Sequence, residues 1–280
     1  MVIGHRYMTE KTINIAALAK EKQIRLSIQC SLNGLSFFII DTILNKVLLT
    51  DGEQFKTSKT PYLVLKSLQA LLAKHGIDTL KGIETTVIHD NDMFCHVPNA
   101  LFNEDELPNY LKFNGKLLAN DEVVFDSVSN AELSTVYVPF TNINNFIFDL
   151  FGVFQFKHLS TELLETLAKH QKGHGTVCYA HFSERNFEIA VYQQKKLQLY
   201  NQFQYTTKED VLYYLLFVYE QLQLDVEEVK LKLFGLVEED DVIFDICYTY
   251  FRKVQVFEPK NLLFSSKPNG TGSIDLTLLS

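Results

Sequence analysis

Residues 25–50 read RLSIQCSLNGLSFFIIDTILNKVLLT. Arg25 to Ser31 alternates apolar and polar residues with the period of a strand. Asn33-Gly34 follows, a dipeptide that favours a tight hairpin because both residues tolerate positive φ. Ser36 to Asp41 reads as a second strand, Asn45-Lys46 as a second turn and Val47 to Thr50 as a third strand. Further out, Pro61 opens a helix at a position where its missing N–H does no harm. Leu63, Leu65, Leu68, Leu71 and Leu72 give that helix an apolar face, and Gly76 ends it. Ile83 to Ile88 is a fourth strand, parallel to the first because a helix intervenes.

The same order of elements recurs about 150 residues later. Residues 176–203 read TVCYAHFSERNFEIAVYQQKKLQLYNQF. Thr176 to Ala180 is a strand, Ser183-Glu184-Arg185-Asn186 a turn and Phe187 to Tyr192 a strand. Gln193 to Lys196 turns, and Leu197 to Phe203 returns. Thr207 with Asp210 three residues on predicts a capped helix, whose buried stripe is Leu212, Leu215, Leu216, Tyr219 and Leu222. Val229 to Phe234 is the fourth strand. Asp240 to Phe251 fits a helix or a strand, and Val254 to Phe257 a short further strand. This alignment sets Phe37 on Phe187, Ile39 on Ile189 and Phe55 on Tyr205. Met93 to Lys169 inserts between the copies, with strands near Val123 to Phe125 and Val136 to Val138 and helices at Asn142 to Phe151 and Ser160 to Lys169. The expected division is 1–170 and 171–280, where Gln171-Lys172-Gly173-His174-Gly175 interrupts both periodicities.

The chain has 280 residues, with 34 Asp and Glu against 26 Lys and Arg, a formal charge of −8. That balance argues against sequence-independent nucleic-acid binding, which needs cationic stripes to displace counterions. No stretch approaches the roughly 18 apolar residues of a membrane-spanning helix, and the N-terminus lacks the apolar centre of a secretory signal. A cytoplasmic protein is expected. Cys30, Cys95, Cys178 and Cys247 include no CxxC pair and read as reduced, mostly buried thiols.

Three antiparallel strands, a helix and a returning parallel strand make the unit of ribonuclease H-like and actin-like folds. Two such copies around an insertion resemble the actin-like superfamily, which includes the pilus and division proteins PilM and FtsA. More narrowly, the acidic Phe/Tyr-rich composition, the short halves and the tail Asn261 to Leu279 resemble an uncharacterised Bacteroidetes domain-of-unknown-function family with an actin-like ATPase fold. The expected class is therefore α/β, a duplicated ribonuclease H-like (actin-like ATPase) fold with two mixed sheets flanked by helices.

The resemblance implies hairpins that cradle ATP phosphates with backbone N–H groups, Gly and hydroxyls, and an Asp near the end of each first strand. Cys30 to Ser36 keeps one Gly and two hydroxyls but no carboxylate. His181 to Asn186 has no Gly; Glu184 is its sole acid, and Phe182 is expected to set a ring where phosphate should approach. Hydrolysis by the superfamily route is expected to be absent, and no catalytic residue is assigned. Asn33, Gly34, Ser36, Ser183 and Arg185 are the candidate nucleotide contacts, with Gly270 and Gly272 of the loop Asn269 to Ser273. Arg185 and Lys267 are the cations near these turns. His89-Asp90-Asn91-Asp92 with His96 has the residue types of a metal site but reads as a turn between strands, so no metal is expected. Phe140, Phe146, Phe148, Phe151 and Phe154 read as core. Glu227-Glu228 and Glu238 to Asp241 form an acidic edge, solvated or suited to a basic partner. A ribonuclease H-type nuclease needs clustered carboxylates, which Asp41 and Glu84 only approximate.

The expected function is a non-catalytic scaffold or adaptor that binds a protein partner, with no resident cofactor and a homo-oligomer possible. The alternative is an unconventional ATP-binding protein or small-molecule kinase that uses the interdomain cleft.

Overall fold

A computed structural model describes residues 23–44, 46–118, 120–171, 173–183 and 185–257. The alternating stretch at its start forms β1 (Ile24–Ser31), β2 (Gly34–Asp41) and β3 (Lys46–Gln54). These pair antiparallel. Helix α1 (Pro61–Lys74) crosses to β4 (Glu84–Asp90), which returns parallel to β1. The later copy gives β9 (Val177–Phe182), β10 (Asn186–Gln193), β11 (Lys196–Gln204), α5 (Lys208–Gln221) and β12 (Lys230–Gly235). Its pairing is the same: antiparallel through the meander, parallel between β9 and β12. A fifth parallel strand closes each sheet, β8 (Gln155–His158) in the first and β13 (Val254–Val256) in the second. The two sheets are β3-β2-β1-β4-β8 and β11-β10-β9-β12-β13, the same order twice. The stretch from Asp240 that fitted either element is helical: Asp241 caps α6 (Val242–Tyr250).

Between the copies, β5 (Phe94–Pro98), β6 (Val124–Val128) and β7 (Leu133–Tyr137) form a three-stranded sheet of order β5-β7-β6, with the short α2 (Leu107–Leu111). Helix α3 (Thr141–Phe151) then packs beside α1, and α4 (Leu159–Lys169) lies between the two large sheets. Leu163, Leu164 and Leu167 of α4 bury against Tyr179, Ala190 and Tyr192 of the second sheet. Tyr192 Oη donates to the Leu164 carbonyl at 3.2 Å.

Each sheet builds its own core against its crossover helix. Leu26, Ile28, Phe37 and Ile39 pack on Val64, Leu68 and Leu72. Cys178, Ala180, Ile189 and Val191 pack on Val211, Leu215 and Val218. Of the clustered phenylalanines, Phe140 and Phe151 are buried, Phe146 and Phe154 pack against the first core, and Phe148 is exposed. The predicted cap forms in full. Thr207 Oγ1 accepts the Asp210 N–H, and Asp210 returns the bond to the Thr207 N–H. Thr207→Ala is expected to cost about 1 kcal/mol, read as a lowered urea midpoint with unchanged slope.

Two expectations need correction. The first is register. Cys30 pairs with Leu35 across the first hairpin, and Phe182 with Phe187 across the second. Leu35, not Phe37, is therefore the counterpart of Phe187. The fixed offset erred by two residues in the first two strands, which preserves the face because strand side chains alternate with period two; in the third it holds, and Phe55 and Tyr205 bond back to the equivalent Asn33 and Arg185 carbonyls. The second is the turn. Neither Asn33 nor Gly34 has positive φ. Four residues lie between the last pair, Cys30 and Leu35, and Ser31 ties them; Gly34 serves close approach instead, since an added Cβ would sit 3.0 Å from the Glu53 carbonyl oxygen. Positive φ occurs at Gln194 (52°) and Lys195 (65°), the two residues between the Gln193–Lys196 pair of β10 and β11.

Candidate functional site

The ends of β1 and β9 face a cleft of about 1340 Å³ between the two sheets. Asn33, Gly34, Ser36, Ser183 and Arg185 all line it, so five of the seven predicted contacts come together there. Gly270, Gly272, Glu184 and Lys267 lie outside the described residues. Two hydrogen bonds join the rims: Asn186 Nδ2 donates to Asp92 Oδ1 (3.4 Å), and Arg185 Nη2 to the Lys56 carbonyl (3.3 Å).

The first hairpin uses its own donors. Ser31 Oγ accepts the N–H groups of Asn33 (3.1 Å) and Gly34 (3.0 Å) and donates to the Gly34 carbonyl (3.1 Å). Asn33 Oδ1 accepts Ser58 Oγ at 2.6 Å. A phosphate cradle needs free, convergent N–H groups; here they are committed to a side chain of the same loop.

In the second hairpin, the expectation that Phe182 blocks the cleft is not met. Phe182 is 1% exposed and stacks on Phe187 with centroids 5.3 Å apart. Alternation explains it: Cys178, Ala180 and Phe182 share the core face of β9. Its neighbour His181 lies on the other face, near the cleft wall. His181 Nδ1 is 2.7 Å from Glu188 Oε2, and Glu188 Oε1 accepts Gln202 Nε2 at 2.9 Å. All three strands of the meander contribute one member. By pairing, the same rung of the first sheet carries Gln29, Ser36 and Gly52, and all three line the cleft. Gln29 and His181 thus stand near the strand ends where the superfamily resemblance implies Asp. Sequence reasoning passed over both, although the hairpin register singles them out. At β12, Gly235 (φ 86°) passes so close to Phe182 that a Cβ would collide with the Phe182 carbonyl oxygen at 2.4 Å.

The cleft is also richer in carboxylates than the hairpins alone suggest. Glu53, Asp90, Asp92 and Asp121 line it alongside Arg185. Asp90 arrives because β4 pairs parallel with β1 and sets it beside Ser31. Glu53 forms an ion pair with Lys59 at 3.2 Å. Among the described residues, no group of three or more His, Cys, Asp or Glu could hold a metal ion. The residue types noted at His89 to His96 point elsewhere. His89 Nε2 donates to Asn144 Oδ1 (2.9 Å), and its Nδ1 accepts the Phe140 N–H (3.3 Å). Asn91 Nδ2 donates to the Val138 carbonyl. His96 Nε2 lies 3.0 Å from Ser160 Oγ. Burial drives His89 and His96 down to about 4, the His89–Asn144 bond opposing it in part.

Two sheets of identical order facing across a cleft, each built as meander, helix and parallel return, define a duplicated ribonuclease H-like, actin-like ATPase fold. The chain belongs to the family described as "Protein of unknown function (DUF3822)", which matches residues 14–254. It is similar to a crystal structure from Bacteroides thetaiotaomicron, a protein with actin-like ATPase fold and unknown function, at 22% identity and a TM-score of 0.75 over 86% of this chain and 93% of that one. It is also similar to the PilM–PilN type IV pilus biogenesis complex, at 8% identity and a TM-score of 0.52 over 85% and 89%. Both likenesses show the fold alone. No curated protein matches the sequence. Among the described residues, no helix is long and apolar enough to cross a membrane.

Proposed function

We propose that this chain is a non-catalytic actin-like platform, a scaffold or adaptor that binds a protein partner. The observation that carries the reading is the first hairpin. Its Asn33 and Gly34 N–H groups, the donors a triphosphate would use, are taken by Ser31. At the two strand ends stand Gln29, which cannot order magnesium-bound water as a carboxylate does, and His181, tied to Glu188. The partner half of the proposal draws on the PilM–PilN complex, in which a chain of similar fold is bound to a second protein. Division near residue 170, a cytoplasmic location and the lack of a resident cofactor or nucleic-acid partner belong to the same proposal. Isothermal titration with millimolar Mg-ATP is expected to give no saturable heat, and a coupled assay no turnover. Micromolar binding with turnover abolished by Ser183→Ala would overturn it.

One observation favours a second reading, an unconventional nucleotide-binding protein or small-molecule kinase. Because Phe182 turns into the core, the cleft keeps a volume of about 1340 Å³, ample for a nucleotide. The same titration separates the readings.

A further inference from the structure

We propose that the outer surface of α5 and α6 is the docking site for a basic amphipathic helix of a partner protein. That a partner exists rests on the platform reading above; where it docks and what chemistry it carries are argued separately. Tyr213 and Phe217 lie one turn apart on the solvent face of α5 and are 63% and 44% exposed. On α6, which packs beside α5, Tyr248 is 67% exposed. Exposed aromatic side chains at this density cost solvation and are the usual anchors of binding surfaces.

These rings are also held in place. Tyr213 stacks on Phe217 with an interplanar angle of 18° and meets Tyr214 edge-on. Tyr214 stacks on Phe203 at 4.4 Å, and Phe203 touches the buried Phe187. Phe244 and Tyr248 stack in the same way on α6. A partner therefore meets ordered anchors and spends little side-chain entropy on fixing them.

Charge selects the partner. Glu209 and Glu220 share the exposed stripe of Tyr213 and Phe217, and Asp245, Glu238, Glu239 and Asp240 are exposed on or just before α6. Between Tyr205 and Lys253 the chain has eleven carboxylates against five Lys and Arg, so most of its charge of −8 arises there. The fold does not require this. The matching helix of the first sheet, α1, has Lys66 and Lys74 and no acid. A rigid aromatic face rimmed by carboxylates fits a helix with apolar residues at i and i+4 and Lys or Arg flanking them.

The probe is a fluorescein-labelled synthetic helix with Leu at i and i+4 and Lys elsewhere. A matched helix with Glu in place of Lys is the control. The Lys helix is expected to bind in an anisotropy titration and to slow amide exchange in residues 208–221 and 242–250. The Glu helix is expected not to bind. Tyr213→Ser with Phe217→Ser should weaken binding by about tenfold or more, measured where its far-UV circular dichroism matches that of the parent, because losing two stacked, partly buried rings also lowers the urea midpoint. Equal binding to the double variant would reduce the surface to non-specific charge and overturn the proposal. So would protection confined to α1, or sedimentation showing self-association that the double variant abolishes, since a second copy would then cover this face. Mg-ATP turnover with docking intact would overturn the platform reading alone.

Discussion

Glu188→Ala is expected to cost about 2–4 kcal/mol of folding stability, because it removes the acceptor that two donors share in a buried hydrogen-bond network. Glu188 is 2% exposed and holds both His181 at 2.7 Å and Gln202 at 2.9 Å. Its loss leaves the buried His181 ring and the half-buried Gln202 amide without their acceptor. Glu188→Gln keeps the shape and an acceptor oxygen, and should cost about 1–2 kcal/mol. The duplication supplies an internal control. Ser36 holds the same rung of the first sheet but is only partly buried, so Ser36→Ala should cost less than about 1 kcal/mol. Urea midpoints for the three variants test the ordering. Glu188→Ala within error of Ser36→Ala would mean that the network does not hold the second meander together.

Acid should destabilise the fold well before its carboxylates are neutralised. His158 is buried at the N-terminus of α4, where its Nδ1 accepts the Ser160 N–H (3.1 Å) and its Nε2 donates to the Asn91 carbonyl (3.1 Å). Burial is the main cause that takes it to about 3; the Asn91 bond opposes this, and nearby His96 and His89 add to it. His89 falls to about 4 by burial. Both native values lie below the unfolded value of about 6.5, so the unfolded chain binds more protons between pH 6.5 and 4 and stability falls as pH drops. Together the two should remove about 5 kcal/mol between pH 7 and pH 4.5. His96, which burial also takes to about 4, adds a share like that of His89. Asp126, pushed up by burial despite the bonds it accepts from the His158 N–H and Tyr137 Oη and the nearby Lys157, works in the opposite direction. Asp51 and Glu165, held low by their lysine partners, lose their contribution only at more acidic pH. Urea titrations at the two pH values read the difference directly. His158→Asn, which keeps an acceptor for the α4 cap, should flatten the slope by about one proton. Equal midpoints at pH 7 and pH 4.5 would contradict neutral burial of these rings.

Local patterns carried much of the architecture. The alternation Leu26, Ile28, Cys30 and the Thr207–Asp210 cap each depend on neighbours a few residues apart, and each formed as read. Turn chemistry was less legible. Asn33-Gly34 looks like a tight turn but is spanned by a serine-tied loop, while the positive-φ turn fell on Gln194-Lys195, which carries no glycine. Phe182 was misplaced although parity alone assigns it to the core face with Cys178 and Ala180. Asp90 beside Ser31, and Glu188 beneath His181, depend on pairing between strands. Local sequence does not encode such register until a register is fixed.

The account rests most heavily on hairpin donors already committed to Ser31, and the amide resonances of Asn33 and Gly34 report on them directly. In a titration of isotope-labelled protein with Mg-ATP, both peaks are expected to stay in place up to millimolar nucleotide. A saturable shift of those two amides, with the Ser31 bond released to phosphate, would contradict it.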